Sequence, residues 1–140
     1  MDLYMSIMFK KSPLKRYQRE MIATVVSASN NCEYCFVHHG KALDHYWKDW
    51  TKVEQLRTDY LEAGLSVPDQ KLCEFADQLT TDPGAKKRDE RVEELRKVGF
   101  DDRSILDASL VVSYFNFVNR LVLGLGVDLE DDDGGGYKYE

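Results

Sequence analysis

The sequence predicts an all-α protein, and three observations carry that expectation. Apolar residues recur at three- and four-residue intervals along most of the 140-residue chain, no stretch shows the period-two alternation of a half-buried strand, and no 20–50-residue repeat stands out. Its length suits one domain with one main core. With 43% hydrophobic and 31% charged residues and only three prolines, its composition is globular rather than disordered or collagen-like.

Ser12-Pro13 reads as a helix start, since Ser can cap free N–H groups and Pro at the first helical position loses no needed donor. From there Leu14, Tyr17, Met21, Ile22, Val25 and Val26 form one apolar stripe that ends at Asn30-Asn31. A second helix begins near Cys32 and runs through Phe36, His39 and Leu43 toward Trp47; the short turn between the two predicts antiparallel packing. Beyond Trp50, Val53, Leu56, Tyr60 and Leu61 keep a helical period up to Gly64, a residue suited to a left-handed cap. The next helix starts at Ser66-Val67-Pro68, carries Leu72, Phe75, Ala76 and Leu79, and stops at Asp82-Pro83-Gly84. Lys86–Val98 is a charged helix with Val92, Leu95 and Val98 on a narrow apolar face, closed by Gly99. Asp101 or Asp102 then caps a long helix whose apolar residues, from Ile105 and Leu106 through Val111, Val112, Phe115, Val118 and Leu121, cover most of its circumference. A helix so widely apolar is expected to be buried, within the protomer or between subunits.

The net charge of −6 is concentrated at the end, because Asp128–Glu140 holds six acids against one base, Lys138. The remaining chain carries 18 bases against 19 acids, which argues against a nucleic-acid surface. The expected organisation is one helical domain over 1–127 and an acidic, Gly-rich tail over 128–140, in which Tyr137 and Tyr139 could dock onto a neighbour. Leu110–Val127 is interrupted by Ser113, Asn116, Asn119 and Arg120, so an uninterrupted membrane span is not expected. The apolar segment Leu3–Phe9 has Lys10 and Lys11 after it rather than before it, the wrong polarity for a secretory signal. A cytoplasmic protein is expected, without membrane or nucleic-acid partners.

Three cysteines are too few, and odd in number, for a disulfide scaffold, so the close pair Cys32/Cys35 points to redox or metal chemistry. On a helix beginning at Cys32, Cys35 and His39 share a face, while Cys32 lies at the positive end of the helix dipole. That setting lowers a thiol pKa from about 8.5. The Cys-x-x-Cys spacing then lets one sulfur attack while the other resolves the product as a disulfide. A zinc reading needs two further ligands from His38, His39, His45 or Cys73, none at a knuckle-like spacing, and no metal is expected.

Arg19-Glu20-Met21 followed by Ser27-Ala28-Ser29-Asn30-Asn31-Cys32-Glu33-Tyr34-Cys35-Phe36-Val37-His38-His39 resembles the active-site signature of the AhpD-like alkylhydroperoxidases: a Glu, twelve positions on a Cys-x-x-Cys, and a His four beyond its second Cys. Gly99-Phe100-Asp101-Asp102, Tyr114–Leu121 and Leu125-Gly126-Val127 resemble the peroxidase-related branch of the wider carboxymuconolactone decarboxylase superfamily. The resemblance extends from about Pro13 to the end. It implies an AhpD-like helical bundle with the Cys-x-x-Cys at the start of a core helix, assembled as a homo-oligomer. It further implies that Glu20 orients or deprotonates His39, that His39 relays a proton, and that Cys32 and Cys35 cycle between dithiol and disulfide. The implied activity is thiol-dependent reduction of alkyl hydroperoxides, with a thiol or dithiol reductant such as a lipoyl or thioredoxin-like protein and no cofactor. Two departures stand out: Tyr34 occupies the place between the cysteines where well-studied members carry a second His, and the segment before the first strong helix is shorter than usual in this branch.

Other residues receive plainer expectations. Cys73, among Leu72, Phe75 and Ala76, reads as a buried small hydrophobe, and His38, about 100° around the helix from His39, as a surface or interface residue. His45 has no evident partner in the sequence. Asn116, Asn119 and Arg120 are expected to satisfy hydrogen bonds at a buried or intersubunit contact, and Tyr46, Trp47 and Trp50 to pack in the core or an interface. The rival functions are a lactone decarboxylase, which needs no paired thiol, and a non-catalytic redox-sensing or structural oligomer.

Overall fold

The apolar periodicity resolves into helices and no strand in the computed structural model, which describes residues 2–84 and 88–127. Their order is α1 Asp2–Phe9, α2 Arg16–Ser29, α3 Glu33–Trp47, α4 Trp50–Thr58, a 3-10 turn Tyr60–Glu62, α5 Val67–Thr81, α6 Arg88–Lys97 and α7 Asp102–Leu125. The acidic tail expected over 128–140 lies outside the described residues, as does Lys86.

α2 is the central helix: every residue from Gln18 to Ser27 is buried, and it packs against α1, α3, α4, α5 and α7. The core around it is built from Met21, Ile22 and Val25 of α2, Phe36 and Leu43 of α3, Leu72 of α5 and Phe115 of α7. Full burial of each large apolar side chain contributes on the order of 2 kcal/mol before entropy is counted. Two expected starts, at Ser66 and Asp101, hold, and a third helix is capped by Asp49. Asp49 caps α4 by accepting from Lys52 N at 3.0 Å, Ser66 caps α5 by accepting from Asp69 N at 3.3 Å, and Asp101 caps α7 by accepting from Ser104 N at 2.8 Å.

The first strong helix starts later than Ser12-Pro13. Ser12 Oγ accepts from Leu14 N at 3.1 Å and donates to Asp107 of α7, so it anchors the loop instead of capping a helix. Arg16 opens α2, and Gln18 Oε1 reaches back to Lys15 N at 2.9 Å. The apolar segment at the start of the chain is itself a helix, α1, with Met8 fully buried. The helix expected to run from Trp50 to Gly64 breaks at Asp59, which takes an extended conformation and accepts from Leu61 N at 2.9 Å; Gly64 has the expected left-handed φ of 66°.

α3 and α4 meet closely at Gly40, where an added Cβ would lie 3.1 Å from Val53 Cγ1 and 3.3 Å from the Trp50 ring. Trp50 therefore covers a glycine while remaining partly exposed; Trp47 packs against the core. α7 is buried on one side only. Ile105, Ala108, Val111, Val112, Phe115 and Asn119 face inward, whereas Leu106, Leu110, Phe117, Leu121, Leu123 and Leu125 are exposed. By length and composition alone α7 is apolar enough to cross a membrane, a test that packed core helices also pass, and its inward face is taken up by the bundle.

Candidate active site

The site is built where α2 ends and α3 begins. Asn31 turns the chain with a φ of 55°, a left-handed conformation that asparagine tolerates better than most residues. Cys32 is the N-cap of α3 with extended backbone; its N–H donates to Ser27 O at 2.9 Å and its carbonyl accepts from Phe36 N at 2.8 Å. Cys35 follows one turn later, with the Cα atoms 5.3 Å apart and the sulfurs joined as a disulfide.

A buried carboxylate–imidazole pair stands behind the cysteines. His39, one turn beyond Cys35, places Nδ1 2.9 Å from Glu20 Oε2, and the ring packs edge-on against Phe115 at 4.4 Å between centroids. The second oxygen of Glu20, Oε1, accepts from Arg16 Nη2 at 3.0 Å. Burial pushes the Glu20 carboxyl up, but the hydrogen bond and charge of His39, with Arg16 adding to them, outweigh it and hold the group below its ordinary value. An ionised Glu20 beside Nδ1 favours the His39 tautomer that carries its proton there and donates it to the carboxylate.

Arg16 and Arg19 also tie this end of α2 to α1. Arg16 Nη1 donates to Met8 O at 2.8 Å; Arg19 Nη1 donates to Met8 O at 2.7 Å and Lys10 O at 3.0 Å, and its Nη2 to Leu14 O at 3.1 Å. Two guanidiniums thus satisfy carbonyls at the C-terminal end of α1, where positive charge is favoured.

The cysteine turn is held from the other side by neutral side chains. Asn119, fully buried, donates to Ser27 Oγ at 3.3 Å and accepts from Asn30 Nδ2 at 3.0 Å, while Asn30 Nδ2 also reaches Asn116 Oδ1 at 3.0 Å. Asn116 Nδ2 continues to Thr80 of α5 at 3.0 Å, and Arg120 Nη1 donates to Asn116 Oδ1 at 2.8 Å. The expected buried contact is therefore found, inside the protomer.

All four expected site residues, Glu20, Cys32, Cys35 and His39, come together, and both cysteines are buried. Cys32 is only 1% exposed and Cys35 3%. The reason is the enclosure of the turn by α2, α3 and α4; Cys32 nevertheless lines a cavity of about 100 Å³ with Ser27, Ala28, Asn31, Glu33, Phe36 and Arg57. His38 is buried rather than at the surface, its ring 4.2 Å from that of Tyr34, which lies one turn earlier on the same side of α3. Cys73 is packed in the core as expected, and burial, with Asp69, Glu74 and Asp77 adding to it, raises its thiol well above the usual range. Among the described residues no group of three or more His, Cys, Asp and Glu side chains is arranged to hold a metal ion.

Two residues escaped the sequence reading. Arg16 is one, although its i,i+4 spacing to Glu20 signals the pair. Arg57 has no such signal: it reaches the site from α4, lies 3.9 Å over the Phe36 ring, and pairs with Glu33.

These features define an all-helical protein with a disulfide-bonded cysteine pair at a helix start and a buried carboxylate–imidazole pair beside it. A model of the carboxymuconolactone decarboxylase family matches residues 1–45. The crystal structure of an uncharacterized peroxidase-related protein from Silicibacter sp. TM1040 is 32% identical, with a TM-score of 0.90 over 99% of this chain and 71% of that one. A second, a peroxidase-related protein described as an alkylhydroperoxidase AhpD core from Ralstonia eutropha JMP134, is 28% identical with a TM-score of 0.88 over 95% of this chain and 70% of that one. The uncharacterized protein YdfG of Bacillus subtilis (strain 168) is 25% identical over 118 residues, 84% of this chain and 79% of its own length. The chain belongs to the AhpD-like, peroxidase-related members of the carboxymuconolactone decarboxylase family.

Proposed function

We propose that this protein is a thiol-dependent peroxidase and disulfide oxidoreductase that reduces alkyl hydroperoxides through Cys32 and Cys35, with Glu20 and His39 as a proton relay. The observation that carries this reading is the Cys32–Cys35 disulfide at the start of the helix whose next turn presents His39, buried on Glu20.

In the oxidative half, one thiolate of the reduced pair attacks the distal oxygen of the hydroperoxide. The O–O bond breaks, the sulfur becomes a sulfenic acid, and the departing alkoxide takes a proton relayed by His39 to leave as alcohol. The other thiol attacks that sulfur, water departs, and the disulfide closes. In the reductive half, a thiolate of a dithiol reductant attacks Cys32, the sulfur that lines the cavity, and Cys35 leaves as a thiolate reprotonated from the His39 side. The second thiol of the reductant then attacks the reductant's own sulfur in the mixed disulfide, the bond to Cys32 breaks, Cys32 leaves as a thiolate, and the reductant departs as a disulfide. Glu20, ionised and buried, stabilises the imidazolium at each transfer.

The outward apolar face of α7 supports a second element of the reading. Leu106, Leu110, Phe117 and Leu121 form the kind of exposed apolar surface that subunit contacts cover, so the protein works as a homo-oligomer.

The test is consumption of cumene hydroperoxide with dihydrolipoamide, for wild type beside Cys32→Ser, Cys35→Ser and His39→Ala. Turnover abolished in both cysteine variants and lowered roughly a hundredfold or more in His39→Ala is the expected result. A reducible Cys32–Cys35 bond without turnover would replace this reading with a redox-sensing oligomer. Light scattering on the same samples reads the oligomer; a monomer would remove that element.

A further inference from the structure

We propose that the Arg57–Glu33 ion pair sets how readily Cys32 becomes a thiolate, with Arg57 acting as a positioning residue that offsets the carboxylate next to the cysteine. The inference rests on the thiol reading above and assigns a role to residues outside the Glu20/His39 pair.

Glu33 follows Cys32 directly and lies in the first turn of α3. A negative charge there favours the helix N-terminus but disfavours a second anion at the neighbouring sulfur. Arg57 arrives from α4 and pairs with that carboxylate through both of its terminal nitrogens, Nη2 lying 3.4 Å from Glu33 Oε1. The pair is solvent-exposed, but Arg57 is fixed from more than one side. Its guanidinium is laid over Phe36 at 3.9 Å, its Nε is 3.3 Å from Glu54 Oε2, and its side chain lines the same cavity as Cys32.

The charges around Cys32 come from few places. α3 contributes Glu33 and, beyond Cys35, His39; α4 contributes Arg57 with Glu54 behind it. α2 offers uncharged Ser27 and Ala28 at the cavity and Glu20 with Arg16 at His39; α7 offers Asn119, uncharged, by way of Ser27. Glu33 and Arg57 are the two charged residues in the lining of the cavity that Cys32 shares. Removing the arginine leaves the adjacent carboxylate unopposed; removing the carboxylate leaves a cation beside the sulfur.

The experiment is the pH dependence of iodoacetamide alkylation at Cys32, read by mass spectrometry in a reduced Cys35→Ser background. Arg57→Gln should move the midpoint up by about half a pH unit, the size expected of one charge a few ångströms away through a water-like dielectric. Glu33→Gln should move it down, and the double variant should return toward the parent. Arg57→Lys keeps the charge but not the fork over Phe36, so it should hold the parent midpoint, and 1 M salt should shrink the Arg57→Gln displacement. An unmoved midpoint in Arg57→Gln, or an equal displacement in Arg57→Lys, would overturn the assignment. The measurement needs no turnover, so a protein inactive toward hydroperoxides still reports it. Conversely, an active peroxidase with an unmoved midpoint would refute this inference and leave the functional reading intact.

Discussion

The two ends of α2 are secured by opposite chemistry. At the N-terminal end Arg16, Arg19 and Glu20 bring formal charge into the interior, binding α1 through its carbonyls and α3 through His39. At the C-terminal end Ser27 and Asn30 meet Asn116 and Asn119 of α7 through amides and a hydroxyl, with ions at the margin of that network, Asp77 at Ser29 and Arg120 at Asn116. The charged end can hold and pass a proton, and its contribution varies with pH. The amide network around Asn119 does not titrate in the working range; it fixes the turn that presents Cys32 and leaves the electrostatics of the sulfur to other residues.

Removing Glu20 should separate the two ends most sharply. Glu20→Ala leaves Arg16 and His39 without their buried acceptor and should cost about 3 kcal/mol or more, read as the shift of the urea unfolding curve. A loss well under 1 kcal/mol would show that water replaces the carboxylate and that this end is less closed than the structure indicates. At the neutral end, Asn119→Leu strips a donor from Ser27 and an acceptor from Asn30 and should cost about 2 kcal/mol, with the same loss at pH 5 and pH 8. A loss that changes with pH would break the distinction.

Arg19→Met should cost about 1–2 kcal/mol and act locally, freeing α1 and exposing the loop after it to limited proteolysis. Unchanged protease resistance would mean that Met8 and its apolar neighbours hold α1 without the guanidinium.

The pH dependence of stability gives a finer test. Because the Glu20 carboxyl lies below its ordinary value of 4.5 in the folded protein, its contribution is present above that value and is lost as pH falls through the lowered one. Wild type should therefore lose stability more steeply than Glu20→Gln between pH 5 and pH 3. Parallel curves would mean that Glu20 titrates alike folded and unfolded. Cys73→Ala, in the core but remote from both ends of α2 in chemistry, should cost only about 1 kcal/mol and leave turnover unchanged; an inactive, folded variant would bring that thiol into the mechanism.

Much of the fold was legible because local rules and tertiary packing agree. Ser66 before Pro68 and Asp101 before the long apolar helix are caps whose partners lie three residues away, so no distant contact is needed to choose them. The site was legible for a related reason: Cys32, Cys35 and His39 sit on consecutive turns of one helix, and only Glu20 comes from another. Where the reading failed, a distant residue had intervened. Ser12 is drawn away from a capping role by Asp107, ninety-five positions later in the chain. His38 is enclosed because α3 is covered over a wider arc than its apolar stripe implies. The break at Asp59 reflects a side chain that bonds its own following turn more readily than it continues a helix.

By itself the sequence determined the helical periods, most of the caps, the placement of the cysteine pair at a helix start and the family to which the chain belongs. Those depend on spacings of a few residues, which dihedral preferences and local hydrogen bonds decide. Only the tertiary structure decided that Glu20 is buried on His39, that Arg57 crosses from α4 to Glu33 beside Cys32, and that α7 keeps an apolar face outside. Each of these depends on how separate helices pack, and no local spacing records which side chain a distant helix will bring.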